Sequence, residues 1–124
     1  MSEDRAAGRD GWLARIDGWR KKWDAATKPP RTSDAVPIRP ERVVADLRRV
    51  VPENAIALVD VGAHHNWMVA EYDVWKPRTL LQTWGYASMG FGVAGPLGAK
   101  LAAPDRPVVT VCGDGGFVMN ASAV

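Results

Sequence analysis

Residues 108–120 read Val-Val-Thr-Val-Cys-Gly-Asp-Gly-Gly-Phe-Val-Met-Asn, and they decide the fold. VVTVC (108–112) is a short apolar run rich in β-branched residues, as expected of a strand buried on both faces of a parallel sheet. GDGGF (113–117) follows as its exit loop, and NASAV (120–124) would begin another helix. Working back, AIALVDV (55–61) is a second buried strand and TLLQT (79–83) a third. Between the strands, AHHNWMVAEYDVW (63–75) is predicted as a helix. WGYASMGFGVAGPLGAKLAA (84–103) reads as a glycine-rich loop running into a helix. Strands alternating with helices predict an α/β fold, a three-layer αβα arrangement on a parallel sheet.

Upstream, residues 10–26 read as an amphipathic helix. Trp12, Ile16, Trp19 and Trp23 recur at helical spacing, with Arg15, Arg20, Lys21 and Lys22 between them. TKPPRTSDAVP (27–37) has the composition of a linker. A second helix is predicted from Pro40, with Glu41 in its first turn and Val43, Val44, Leu47, Val50 and Val51 as its apolar face; Pro52 closes it. The domain reading is therefore 1–37 as a helix and linker from the end of a preceding domain, and 38–124 as the N-terminal part of a larger domain. A crossover begun after the third strand points to truncation at the C-terminus, and the tryptophan helix, with no core of its own, to truncation at the N-terminus too.

Composition narrows the functional classes. Of 124 residues, 47 % are hydrophobic and 24 % charged, which is ordinary globular usage. Through Arg49 there are 12 Lys/Arg against 8 Asp/Glu, and from Val50 onward 4 against 6. The basic surplus is interleaved with acids, as on a solvated helix face, and forms no single-sign stripe for nucleic acid. No apolar stretch reaches membrane-spanning length without a charge or proline. The first ten residues lack the apolar core of a signal peptide. The one cysteine, Cys112, lies in an apolar run, where an inert buried thiol fits a reducing cytoplasm.

Ligands of open parallel sheets bind beyond the C-terminal ends of the strands. Three loops lie there: 62–66, 84–92 and 113–117. In the third, Asp114 is a strand-end carboxylate between glycines, suited to a hard cation such as Mg²⁺, which takes one or two carboxylates plus phosphate oxygens. Gly113, Gly115 and Gly116 would permit positive φ and close backbone approach, with Gly115 and Gly116 offering N–H groups to a diphosphate. The competing reading is a glycine-rich turn in which Asp114 caps the next helix. In the second loop Gly90, Gly92 and Gly95 match the dinucleotide pattern G-x-G-x-x-G. However, residues 84–89 separate the strand from Gly90, so close helix–sheet packing is the better account. His64 and His65, at a loop-to-helix junction, have the ordinary reading of capping or polar surface, and adjacent histidines do not form a zinc site.

Three blocks together resemble the C-terminal cofactor domain of thiamine-diphosphate enzymes, in the acetolactate-synthase-like group. They are VDVGAHHNW (59–67), PRTLLQTWGYASMGFGVAGPLGAK (77–100) and VVTVCGDGGFVMN (108–120), in the family's order. The resemblance implies that Asp114 binds the metal, and that Gly113, Gly115 and Gly116 belong to the diphosphate motif. Met89 would prop the bent cofactor, Ala87 would offer its carbonyl to the aminopyrimidine, Met119 would pack nearby, and His64 would face the substrate. It implies thiamine diphosphate and Mg²⁺ as cofactors and a small 2-oxo acid as substrate. No catalytic residue is expected here, because the family's activating Glu comes from a pyrimidine-binding domain, often of a homo-oligomer partner. The second metal-binding residue, an Asn, would lie beyond Val124. Ala63 stands where many relatives have Gln, and Trp84 where a small residue is usual, which leaves the substrate open. The expected function is part of a carboligase or decarboxylase whose isolated fragment is inactive. The alternative is a non-catalytic interaction module of the same fold, with its partner on the tryptophan helix.

Overall fold

A computed structural model describes residues 3–124, with side chains from Gly8 onward; Met1 and Ser2 lie outside the described residues. The elements are α1 (Glu3–Arg31), α2 (Pro40–Val50), β1 (Ile56–Val59), α3 (Ala63–Glu71), β2 (Leu80–Gln82), α4 (Phe91–Ala102), β3 (Val108–Val111) and α5 (Asp114–Met119). A 3-10 turn, Ala121–Ala123, follows.

The three strands form one parallel sheet in the order β2-β1-β3. β1 is central, and the run from Ala55 to Asp60 is buried throughout. Its side chains alternate between two layers, as strand geometry requires. Ala57 and Val59 face Val44 of α2, Met68 of α3 and Tyr72 just past its end, joined by Leu47, Trp67, Leu80, Val109 and Val111. Leu58 faces α4: a Cβ on Gly95 would stand 3.0 Å from its Cδ2. Burying one leucine of this kind contributes roughly 1.5–3 kcal/mol. The predicted αβα layering is thus present, with α2 and α3 on one face and α4 on the other.

The linker expectation is corrected at its start, because residues 27–31 continue α1. Pro29 and Pro30 lie in its last turns and remove two helical N–H donors. Tertiary ties hold this end in place. Arg31 Nε donates to Glu71 Oε2 at 2.6 Å, and its Nη2 to the Glu71 carbonyl at 3.2 Å. The same bond explains why α3 stops at Glu71 and not at Trp75: a guanidinium takes its terminal carbonyl, and Tyr72 turns into the core. Residues 8–26 of α1 are exposed apart from half-buried Ile16. Trp12 and Trp19 meet edge to face at 5.5 Å, and the Arg15 guanidinium lies over both rings.

The second correction concerns the predicted exit loop, 113–117. Helix α5 already begins at Asp114, and the helix expected at Asn120 is only the 3-10 turn. Gly113 is its N-cap in extended conformation (φ −82°, ψ 166°), and the Phe117 N–H closes the first turn on the Gly113 carbonyl at 2.9 Å. Positive φ is therefore not what the glycines of this motif supply. Gly116 supplies proximity: a Cβ there would lie 2.2 Å from Asp60 Oδ2. No described helix is long and apolar enough to cross a membrane.

Candidate functional site

The chain leaves β1 into α3 on one face of the sheet, and leaves β3 into α5, which packs on α4 at the other. Adjacent strands whose connections diverge to opposite faces open a crevice at their C-terminal ends. Asp60, Gly62 and His64 follow β1 at this end, with Asp60 fully buried, and Cys112, Gly113 and Asp114 follow β3.

His64 lies across the crevice. A Cβ on Gly62 would meet its Cε1 at 2.6 Å, and one on Gly113 would meet the same atom at 3.5 Å. Gly62 therefore needs to be bare for the ring to sit there, whereas a Cβ on Gly113 would make only ordinary van der Waals contact with it. His64 Nε2 is buried without a hydrogen-bond partner among the described residues, as are His65 Nε2, Gln82 Oε1 and Thr83 Oγ1. Buried polar atoms of this kind normally have partners, and these four lie at or just past the ends of β1 and β2 in the chain. His65 meets Trp84 edge to face at 5.2 Å. His64 also forms part of the wall of an apolar cavity of about 290 Å³ between α2 and α3, with Ile38, Val43, Leu47, Trp67 and Val111.

The second and third loops meet at Met89 and Gly115, where the methionine Cε would be 3.6 Å from a Cβ on the glycine. Asp114 is exposed; its Oδ1 accepts the Gly115 N–H at 2.9 Å, and the carboxylate otherwise faces solvent. Met119 is exposed at the end of α5. Among the described residues no group of three or more His, Cys, Asp or Glu is placed to hold a metal. A cation here would depend on Asp114 together with oxygens from a ligand and water.

Ala87 adopts φ +49°, a left-handed conformation that costs an L-residue about 1–2 kcal/mol. Glycine relieves that cost but adds chain entropy to the unfolded state. Ala87→Gly is therefore expected to raise stability by about 0.5 kcal/mol, read as a higher urea midpoint with an unchanged slope. A midpoint that falls would refute the strain.

Residues absent from the sequence-derived site complete it. Asp60 is fully buried, and both its oxygens accept the Gly90 N–H, at 3.0 and 2.9 Å, while Oδ1 also takes the Val61 N–H at 2.8 Å. Gly90 turns at φ +89°, with the Asn120 side chain where its Cβ would be. The visible signal was a lone acid inside the apolar run AIALVDV. Gly92 and Gly95 lie against Asp60 and Leu58, the helix–sheet packing expected of them, with residues 83–90 intervening after β2.

The sequence model described as "Thiamine pyrophosphate enzyme, C-terminal TPP binding domain" matches residues 60–124. A probable acetolactate synthase large subunit of Methanococcus aeolicus is 34 % identical over 114 residues, covering 88 % of this chain and 18 % of that protein. That of Methanocaldococcus jannaschii is 37 % identical over 118 residues, 90 % of this chain and 19 % of the relative. Acetolactate synthase isozyme 3 large subunit of Escherichia coli is 34 % identical over 113 residues, 88 % and 18 %. The chain thus spans less than a fifth of the length of these relatives. With the crevice, the three strand-end loops and the match from Asp60 onward in agreement, this chain belongs to the thiamine pyrophosphate enzyme family, of which it carries C-terminal TPP-binding-domain sequence.

Proposed function

We propose that residues 38–124 are the first part of the cofactor domain of a thiamine-diphosphate-dependent carboligase or decarboxylase acting on a 2-oxo acid, as acetolactate synthases are. The observation that carries the reading is the convergence of His64 on Gly113 and of Met89 on Gly115, at the crevice where β1 and β3 end. In this reading Asp114 would hold Mg²⁺, together with diphosphate oxygens and water. The backbone of Gly113, Gly115 and Gly116 lines the diphosphate, and Met89, its methyl against Gly115, supports the cofactor ring. The Ala87 carbonyl orients the aminopyrimidine and Met119 packs nearby. His64 offers its unpartnered Nε2 toward the substrate side. When bound, the cofactor supplies the carbanion chemistry, and protein groups orient it and exclude competing reactions.

The activating Glu comes from a pyrimidine-binding domain, contributed by a homo-oligomer partner, so the 124-residue chain alone does not turn over. In this reading the enzyme works in the cytoplasm, in keeping with the single free thiol of this chain. The test is titration of the chain joined to its partner domain with thiamine diphosphate, followed by tryptophan fluorescence, with Mg²⁺ and then with EDTA. Saturable quenching that needs the metal is expected. Metal-independent or absent binding, in the chain joined to its partner domain, would overturn the reading.

A further inference from the structure

Asp60 is an acid with no counterion. It is fully buried, and no Lys, Arg or His pairs with it among the described residues. A buried carboxylate without a cation is costly, and it persists where hydrogen bonds and dipoles compensate. Here Gly90, the N-cap of twelve-residue α4, gives its N–H to both oxygens, and the positive end of the helix faces the charge. Val61, on the β1 exit, gives a second N–H. On the remaining side Oδ2 lies so close to Gly116 of α5 that no side chain fits between them. One carboxylate thus touches all three strand-end loops: its own, the one ending in Gly90 and the one opening α5.

We propose that Asp60 is the positioning residue of this site. It sets the register of the segment carrying Ala87 and Met89 against the segment carrying Asp114 and Gly115, without touching the cofactor itself. The inference deepens the thiamine-diphosphate reading and rests on it for its functional consequence; the clamp between the loops stands on geometry alone. A carboxylate suits the task because it only accepts. An Asn of the same shape keeps one acceptor, and puts an NH₂ donor where Oδ2 meets the Gly90 N–H and the Gly116 Cα.

The experiment compares Asp60→Asn with Glu71→Gln, which disturbs the opposite end of α3, by amide hydrogen exchange of the purified protein. Exchange is expected about tenfold faster at residues 84–90 and 113–119 in Asp60→Asn, with β2 and α2 unchanged, as loss of a charge-assisted hydrogen bond implies. Acceleration spread evenly over the chain, or equal in Glu71→Gln, overturns the clamp. Should Asp60→Asn not fold, the wild-type Gly90 amide decides. It exchanges as slowly as the β1 amides if Asp60 holds it, and fast exchange there refutes the proposal. In parallel, the dissociation constant for thiamine diphosphate with Mg²⁺ is expected to weaken about 10- to 100-fold in Asp60→Asn, the usual cost of losing a group that orients ligating residues, and not in Glu71→Gln. If the wild type joined to its partner domain binds no cofactor, the proposed cofactor role fails while the exchange result still decides the clamp.

Discussion

Gly92→Ala is expected to lower the unfolding free energy by about 2–3 kcal/mol, whereas Gly98→Ala, on the same helix, is expected to raise it by about 1 kcal/mol. The intrinsic term favours alanine at Gly98, because glycine in a helix interior is less favourable by that amount, and counts for less at Gly92, in the first turn of α4. The surroundings differ. At Gly98 an added Cβ meets nothing within 4 Å. At Gly92 it would stand 2.7 Å from Asp60 Cβ and 3.2 Å from both Cys112 Cβ and Thr110 Oγ1. Two of these atoms are fixed to the sheet backbone and cannot rotate away, so α4 must lift. Lifting α4 stretches the bond from Thr110 Oγ1 to the Gly92 carbonyl, now 2.7 Å, and pulls Gly90 from Asp60. Urea unfolding of both variants reads the difference as midpoint shifts of opposite sign. Shifts of the same sign would show that α4 does not seat on the sheet through Gly92.

Asp114→Ala is expected to weaken metal-dependent binding of thiamine diphosphate by on the order of 100-fold or more, since groups that merely orient a metal's ligands are worth up to about that factor. Stability should change little. Asp114 is exposed, and its one hydrogen bond within the protein is to the neighbouring Gly115 N–H. Loss of that bond, in the first turn of a short helix, costs about 0.5–1 kcal/mol. The two effects separate a ligand from a structural cap, the competing reading of the same residue. Isothermal titration with and without Mg²⁺, beside urea unfolding, measures both. Unchanged affinity with a lower midpoint would make Asp114 a cap and nothing more.

Periodicity and composition carried the architecture a long way. The run IALV is buried on both faces, as in a parallel sheet covered on both sides, whereas VVTV, expected to be equally buried, forms an edge strand that is only half-buried, with Thr110 exposed. The position of α2 was equally legible from Pro40, the apolar face of Val43, Val44 and Leu47, and Pro52. The location of the site followed from the same pattern, since strand ends in such sheets are where loops gather, and a GDGG motif at one of them is conspicuous. What misled was local chemistry read without its neighbours. Pro29 and Pro30 look like a linker, yet Arg31 reaches Glu71, some forty positions away, and the helix runs through them. The glycines after Cys112 look like turn residues, yet they lie at the start of a helix, and Gly116 is bare because Asp60 is there.

By itself the sequence determined the α/β alternation, the parallel sheet and the three loops that meet at its edge, because these depend on short apolar runs and on helical spacings of about four residues along the chain. Only the tertiary structure decided that Asp60 is buried against Gly90 and Gly116, that His64 lies between Gly62 and Gly113, and that Arg48 sits beneath Tyr72 and Trp75. Each joins residues more than twenty positions apart, or depends on such a neighbour. No local pattern encodes that proximity; it arises when the crossover helices bring the strand ends together.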